Sequence, residues 1–232
     1  MVEVPSFWAI MPAAGVGSRI DSHKPKQYLS LQGRALIEHS LTALLQSPHV
    51  RGVMLGLHAD DSHWKKLNFQ SHKTVQTFIG GESRAQTVFN ALELLQQDCD
   101  SDAFVLVHDA ARPCLTERDI SALVNACEQH AVGGLLAAPV GDTIKNVSDD
   151  HQVLGTVDRS ALWRALTPQM FRLGALYDAL KYCFDNNLSV TDEASAIEHK
   201  GENPIVVQGD TRNIKVTYAE DLSLAEHVLG GG

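Results

Sequence analysis

The sequence predicts an α/β fold: a mainly parallel, doubly wound (Rossmann-like) sheet with a projecting β-arm. Three observations carry that expectation. Short apolar runs alternate with amphipathic stretches, the first apolar run opens into the glycine loop "PAAGVG", and the alternation breaks after Pro139. Apolar strands separated by crossover helices make a parallel sheet covered on both faces. A break in that rhythm marks a piece of chain outside the sheet.

Each element follows from its local pattern. "FWAIM" is a short buried strand, and "ALIEHSLTALLQS" carries Leu36, Ile37, Leu41, Leu44 and Leu45 at helical spacing. "GVMLGL" is a second strand, "DDSHWKKL" a short helix opened by acids, and "TVQTFI" a third strand running into Gly80-Gly81. "SRAQTVFNALELLQQ" is the clearest amphipathic helix, and "AFVLVHDAARP" is a strand followed by a polar loop. Thr116 with Asp119 starts the helix "ERDISALVNACEQH", and "GGLLAAPV" is another strand.

From about residue 140 to 164, short β-prone runs and the turn-like "SDDH" predict the arm. So few apolar residues cannot hold a hairpin together, so the arm is expected to pack on a second copy of the chain. The alternative is an extra hairpin at the sheet edge of the same chain. "GALYDALKYCFDNN" returns to helix, followed by "SVTDEASAIEHKG" and the strand "PIVVQ". Thr217 and Glu220 predict a capping box for "YAEDLSLAEHVL", and the terminal "GGG" is expected to fray.

The bulk composition excludes several function classes. A length of 232 residues fits one domain, and no apolar run approaches the roughly 18 residues of a membrane span. The N-terminus carries Glu3 and no Lys/Arg cluster, so no signal peptide is expected. Four cysteines without CxxC spacing read as reduced packing residues of a cytoplasmic protein. A net charge of −9 argues against nonspecific nucleic-acid binding, although it leaves room for a small anionic substrate in a locally basic cleft. The 11 histidines show no HExxH or paired Cys/His pattern, which argues against structural zinc.

The glycine loop raises the functional question. A dinucleotide fingerprint GxGxxG requires glycine where Ile20 stands, and no GxxxxGK[ST] occurs. Gly15-x-Gly17-Ser18-Arg19 is instead followed by Lys24-Pro25-Lys26-Gln27-Tyr28. Pro12 opens the loop as part of the nucleotide site, and the small residues Ala13, Ala14, Gly15 and Gly17 let backbone N–H groups approach a triphosphate. Arg19 and Lys26 add full charges that a turn alone does not need. A solvent-exposed turn with solubilising lysines is the plain alternative. The loop's place at the carboxyl end of the first strand favours a ligand, because open sheets bind ligands there.

With "PAAGVGSR" and "PKQYL", the segments "GGESRAQTV", "VHDAARP", "AAPVGDTIK", "TVDR", "LTPQ", "TDEAS" and "NIKVT" appear in one order. On these nine pieces the chain resembles the sugar-phosphate nucleotidyltransferases and, within them, the methylerythritol-phosphate cytidylyltransferases. The resemblance runs almost the whole chain. It implies that residues 1–232 form a single nucleotidyltransferase domain, without the fused second enzyme some relatives carry. It also implies that a polyol phosphate oxygen attacks the α-phosphorus of CTP and displaces pyrophosphate. Such a nucleophile is already an anion and requires no Ser/His/Asp base. The difficulty lies in holding two anions together, which calls for positioning, cations and a metal.

The resemblance assigns roles residue by residue. Arg19 and Lys26 stabilise the α-phosphate and the departing pyrophosphate. Asp109 is a Mg²⁺-associated carboxylate, with an ordinary loop cap as its plain alternative. Arg112 either binds phosphate or braces the Asp109 loop. Backbone groups at Ala13, Ala14, Gly80 and Gly81, with the Thr87 hydroxyl, read cytosine; the family usually has serine at the Thr87 position, and the extra methyl needs room. Arg84 either meets phosphate or pairs with Glu82, and His108 is structural. For the second substrate the resemblance points to Thr143, Arg159, Thr167, Thr191 and Lys215, with Asp158 and Asp192 on the polyol hydroxyls. Thr191 doubles as a candidate helix N-cap. Thr143 and Arg159 flank the arm and in a homodimer would enter the neighbour's cleft. The nearest rival is a cytidylyltransferase for another polyol phosphate, such as ribitol 5-phosphate. A nucleotide-binding module without turnover fits Arg19, Lys26 and Asp109 less well, and Ile20 weighs against an NAD-dependent oxidoreductase.

Overall fold

A computed structural model of the chain describes residues 5–15 and 24–231. Its elements in chain order are β1 (Phe7–Ala13), a 3₁₀ turn (Lys26–Tyr28), β2 (Ser30–Leu31), β3 (Arg34–Ala35), α1 (Leu36–Gln46), β4 (Val50–Leu57), α2 (Trp64–Leu67), β5 (Thr74–Ile79), α3 (Arg84–Leu95) and β6 (Phe104–Val107). Then come α4 (Glu117–Glu128), β7 (Gly133–Pro139), β8 (Ile144–Val147), β9 (Val153–Val157), β10 (Trp163–Arg172), α5 (Leu173–Asp185), α6 (Glu193–His199), β11 (Ile205–Gln208) and α7 (Ala219–Leu229).

Among the described residues, seven strands form one sheet in the order β11-β7-β10-β6-β1-β4-β5. All its pairings are parallel except those of β10, which runs antiparallel to both β6 and β7. The period-two alternation of β1 feeds two cores. Ala9, Met11 and Ala13 face α1 and α4, packing with Leu41, Leu44, Ile120 and Leu123. Ile10 faces the other way, toward Val88 and Leu92 of α3 and Leu176 and Leu180 of α5. The sheet is therefore wound on both faces, as the strand–helix alternation predicted. A smaller cluster of Leu31, Leu36, Cys114, Val216 and Ala225 seats α7. No helix among the described residues is long and apolar enough to cross a membrane.

The chain leaves β1 for β4 on one side and later crosses through α3 to β6 on the other. The crevice between the carboxyl ends of β1 and β6 is thus a topological switch point, where open sheets bind ligands.

The arm forms as expected: β8 and β9 pair antiparallel, Ile144 with Val157, and belong to no larger sheet. The strand after it was not foreseen. From Trp163 the chain re-enters the main sheet as β10, buried from Leu166 to Phe171. Pro168 hid this central strand. It is tolerated because the pairing with β7 shifts register between Ala165 and Gln169, so no ladder donor is missed. The capping box of α7 lies one residue later than expected. Tyr218 is the N-cap, and the Asp221 carboxylate accepts from the backbone N–H groups of Thr217 and Tyr218. The cap of α4 is as expected, with Thr116 Oγ1 accepting from Asp119 N.

Candidate active site

At the switch point lies a cavity of about 330 Å³. Four segments distant in sequence close around it: Pro12–Gly15 after β1, Lys26 and Gln27 of the 3₁₀ turn, Ser83, Arg84 and Thr87 at the start of α3, and Asp109–Ala111 after β6, with Lys215 completing the wall. The expected Gly17 and Arg19 lie outside the described residues.

The nucleotide side is built by close backbone packing. A Cβ at Gly80 would stand 2.5 Å from Ala14 Cβ and 2.9 Å from Thr87 Oγ1, so only glycine lets these loops meet. Thr87 Oγ1 accepts from Gly81 N (3.0 Å) and donates to Ser83 O (2.9 Å), fixing the turn into α3. Its methyl finds room against Gly56 of β4, where a Cβ would come within 2.3 Å of Thr87 Cγ2. The buried Gln27 amide donates to the carbonyls of Ala13 (2.8 Å) and Gly15 (3.3 Å), and Tyr28 donates to Asp61 Oδ2 (2.7 Å). These bonds hold the turn bearing Lys26 against the glycine loop. Sequence reasoning misses Gln27, because a buried amide reaching back about a dozen residues leaves no periodic signal.

Asp109 is the centre of the floor. It is 6% exposed, and three cations of the chain converge on it. Arg84 Nε donates to Oδ1 (2.8 Å), Lys215 Nζ meets Oδ2 (2.8 Å), and Arg112 Nε stands 3.6 Å from Oδ2. Burial alone would push the carboxyl pKa up. Arg84, Lys215 and Arg112 overcome it and hold the group well below the usual carboxylate range. The loop is tied from beneath by Thr167, whose Oγ1 accepts from Asp109 N (3.1 Å) and lies 2.8 Å from His108 Nδ1. His108 Nε2 faces the Arg112 carbonyl (3.1 Å), which can only accept, so Nε2 carries the proton and Nδ1 accepts from Thr167. Burial pushes the His108 pKa down to about 4, against the pull of Asp109, so the ring is neutral and structural.

Several expected residues are engaged elsewhere in the fold. Arg112 braces the loop: it is buried, and its guanidinium donates to the carbonyls of Asn213 (2.7 Å) and Ala165 (3.3 Å). Arg84 pairs with Asp109 and Glu193 rather than with Glu82. Thr167 is buried beneath the Asp109 loop and does not line the cavity. Asp192, not Thr191, caps α6 through Ser195 N, and its second oxygen accepts from Gln169. Thr191 is exposed beside it. Thr143, Asp158 and Arg159 sit at the base of the arm, all exposed, and none lines this chain's cavity. There Asp158 accepts from Ser160 N and Arg159 donates to the Gly141 carbonyl.

The donor set also bears on a metal. Among the described residues no three His, Cys, Asp or Glu side chains gather into a candidate ligand group. Both Asp109 oxygens already face cationic N–H groups. Asp109 could therefore offer a divalent cation one ligand at most, and the described residues form no carboxylate cage.

Three cations thus hold one buried carboxylate, and Lys26 lines the same cavity at the carboxyl end of β1. Residues 7–231 match the family described as IspD: 2-C-methyl-D-erythritol 4-phosphate cytidylyltransferase. The chain belongs to that family. IspD enzymes are nucleotidyltransferases that move a cytidylyl group from CTP to methylerythritol phosphate, in isoprenoid biosynthesis. The cytidylyltransferase of that name from Pseudomonas putida (strain W619) is 50% identical over 220 residues, 94% of each chain. That from Vibrio vulnificus (strain CMCP6) is 46% identical over 224 residues, 97% of this chain and 94% of the other. Among solved structures, IspD of Francisella tularensis superposes with a TM-score of 0.84 at 35% identity, covering 96% of this chain and 99% of that one. The bifunctional IspDF of Campylobacter jejuni gives 0.73 at 26% identity, and there the match covers 94% of this chain but 54% of that one.

Proposed function

We propose that the cavity performs the cytidylyl transfer by in-line displacement, with its roles divided among the four segments. A phosphate oxygen of 2-C-methyl-D-erythritol 4-phosphate attacks the α-phosphorus of CTP. The new P–O bond forms as the bond to the β-phosphate oxygen breaks and pyrophosphate leaves with its electron pair, giving 4-diphosphocytidyl-2-C-methyl-D-erythritol. Lys26, with Arg19, neutralises charge that grows on the α-phosphate and the leaving group. Lys215, held by Asp109, meets the incoming phosphate. Loop groups at Ala13, Ala14, Gly80 and Gly81 recognise the cytosine edge. A Mg²⁺ ion bound with CTP would screen the triphosphate charge, and Asp109 is the carboxylate that could meet it.

The observation that carries this reading is the group of Lys26, Arg84 and Lys215 around Asp109 in the cavity wall of a chain whose net charge is −9. The same reading makes the enzyme cytoplasmic and a homodimer joined through the arm, with Thr143 and Arg159 completing the partner's cleft. Supporting the last point, the arm exposes Val147, Val153 and Leu154, an apolar surface that its own two strands leave open. The direct test is pyrophosphate release with Mg²⁺ across a panel of polyol phosphates. Turnover is expected with CTP and methylerythritol phosphate, and a much smaller rate with UTP, which presents a carbonyl in place of the amino group. Equal rates with both nucleotides, or preference for ribitol 5-phosphate, would overturn the assignment.

A further inference from the structure

Glu193 stands outside every role given above, yet it is one of the most buried charges in the molecule, at 1% exposure. Both its oxygens are taken by one guanidinium: Arg84 Nη1 donates to Oε1 (2.6 Å) and Nη2 to Oε2 (3.0 Å). The remaining Arg84 nitrogen, Nε, donates to Asp109. All three nitrogens of Arg84 are therefore committed, and its plane is fixed by two carboxylates from different parts of the chain. Bidentate forks of this kind fix orientation as well as distance.

Stability alone does not account for the pair. A buried ion pair costs desolvation on both sides, and apolar residues of similar volume are often as stabilising. What the pair uniquely supplies is register. Arg84 opens α3, beside Ser83 and Thr87 on the nucleotide side. Glu193 opens α6, directly after Thr191 and Asp192. The start of α6 is also hydrogen-bonded to the sheet: Gln169 of β10 donates to Asp192 Oδ2 and accepts from Ala194 N, both at 2.8 Å. Gln169 fixes α6 to β10, and Glu193 fixes it to the carboxylate that holds Lys215.

We propose that Glu193 and Arg84 act as one positioning pair, which sets the Thr191–Asp192 segment in register with Asp109 and Lys215. The pair serves the second substrate. This rests on Lys215 meeting the incoming phosphate, as given under Proposed function, and on Thr191 and Asp192 facing the polyol, as the family resemblance implies. Neither residue touches a reacting atom. Misplacement of one substrate relative to the other is expected to be costly even where the fold is intact.

The experiment uses the full chain with Glu193→Gln, Arg84→Lys and the double variant. It measures kcat, KM for each substrate, and CTP dissociation by calorimetry. Each single variant is expected to lose about 10²-fold in kcat/KM for methylerythritol phosphate, while CTP affinity stays within about threefold. The double variant is expected to be no worse than the poorer single one, because the two side chains act as a unit. Additive losses, CTP affinity falling in step with kcat/KM, or near wild-type kinetics would each overturn the proposal. Arg84→Lys keeps the charge on α3 and is the variant to read if Glu193→Gln does not fold. Thr191→Ala reads the underlying placement. An unchanged KM for the polyol phosphate in that variant removes the placement, whereas a raised KM there with unchanged Glu193→Gln kinetics overturns the pair alone.

Discussion

The cavity and the arm are opposites in one chain. Around the cavity, Asp109 and Glu193 are almost fully buried, and both carboxylates are held by cations of their own chain. On the arm, β8 and β9 bond only to each other, and Val153 and Leu154 are 62% and 66% exposed. Yet both regions carry residues assigned to the same reaction. The cavity finishes its own geometry because four sheet-anchored segments converge on it. The arm cannot, since a two-stranded ribbon buries too little to hold a side chain in place. Its Thr143 and Arg159 stay exposed, with the Arg159 guanidinium on the Gly141 carbonyl at the arm's own base.

The comparison can be broken at either end. The largest effect is expected inside the cavity. Lys26→Ala should lower turnover by about 10²–10³-fold, roughly 3–4 kcal/mol of transition-state stabilisation, with a far smaller change in CTP binding. Steady-state kinetics with calorimetric CTP titration reads both, and near-normal turnover would remove Lys26 from the chemistry.

Next comes the arm. Lys26→Ala and Arg159→Ala should each be inactive alone. Mixed under conditions of subunit exchange, they should recover up to about half of normal activity per heterodimer, because one of two clefts is rebuilt. If mass spectrometry confirms exchange and activity stays flat, Arg159 serves its own chain and the contrast between the regions fails.

A smaller effect is expected where the cavity meets the sheet. Gly56→Ala puts a Cβ 2.3 Å from Thr87 Cγ2 and 2.8 Å from Phe78 Cζ. Overpacking of that kind costs about 1–3 kcal/mol, and adding Thr87→Ser should return part of it, since the half-buried Phe78 ring can turn aside. Urea denaturation of the single and double variants checks this, and equal stability of the two would show that the Thr87 methyl is not the obstacle. The smallest effect belongs to the arm's surface. Leu154→Ser should leave the stability of the dilute chain within about 0.5 kcal/mol. In sedimentation equilibrium it should weaken self-association, and an unchanged association constant would place the dimer contact elsewhere.

Much of this was legible in the residues themselves. Periodicity gave the strands and helices of both cores, because burial on one face of an element repeats along the chain. Segments such as "PAAGVGSR" and "PKQYL" pointed to the Pro12–Gly15 turn and to Lys26, which the fold brings to one cavity. The arm, too, announced itself by what it lacked. The central strand β10 did not, because Pro168 argues against a ladder position and only the register shift beside β7 admits it. The partners of Asp109 were equally invisible. Arg112 had two readings until its donors met the carbonyls of Asn213 and Ala165, and Arg84 reached across 109 positions to Glu193 rather than two to Glu82. The sequence by itself determined most of the elements, β10 excepted, and which kinds of side chain stand at the strand ends. Which cation holds which carboxylate was decided only by the tertiary structure, because ion-pair geometry depends on distances that the sheet order sets and that no local pattern records.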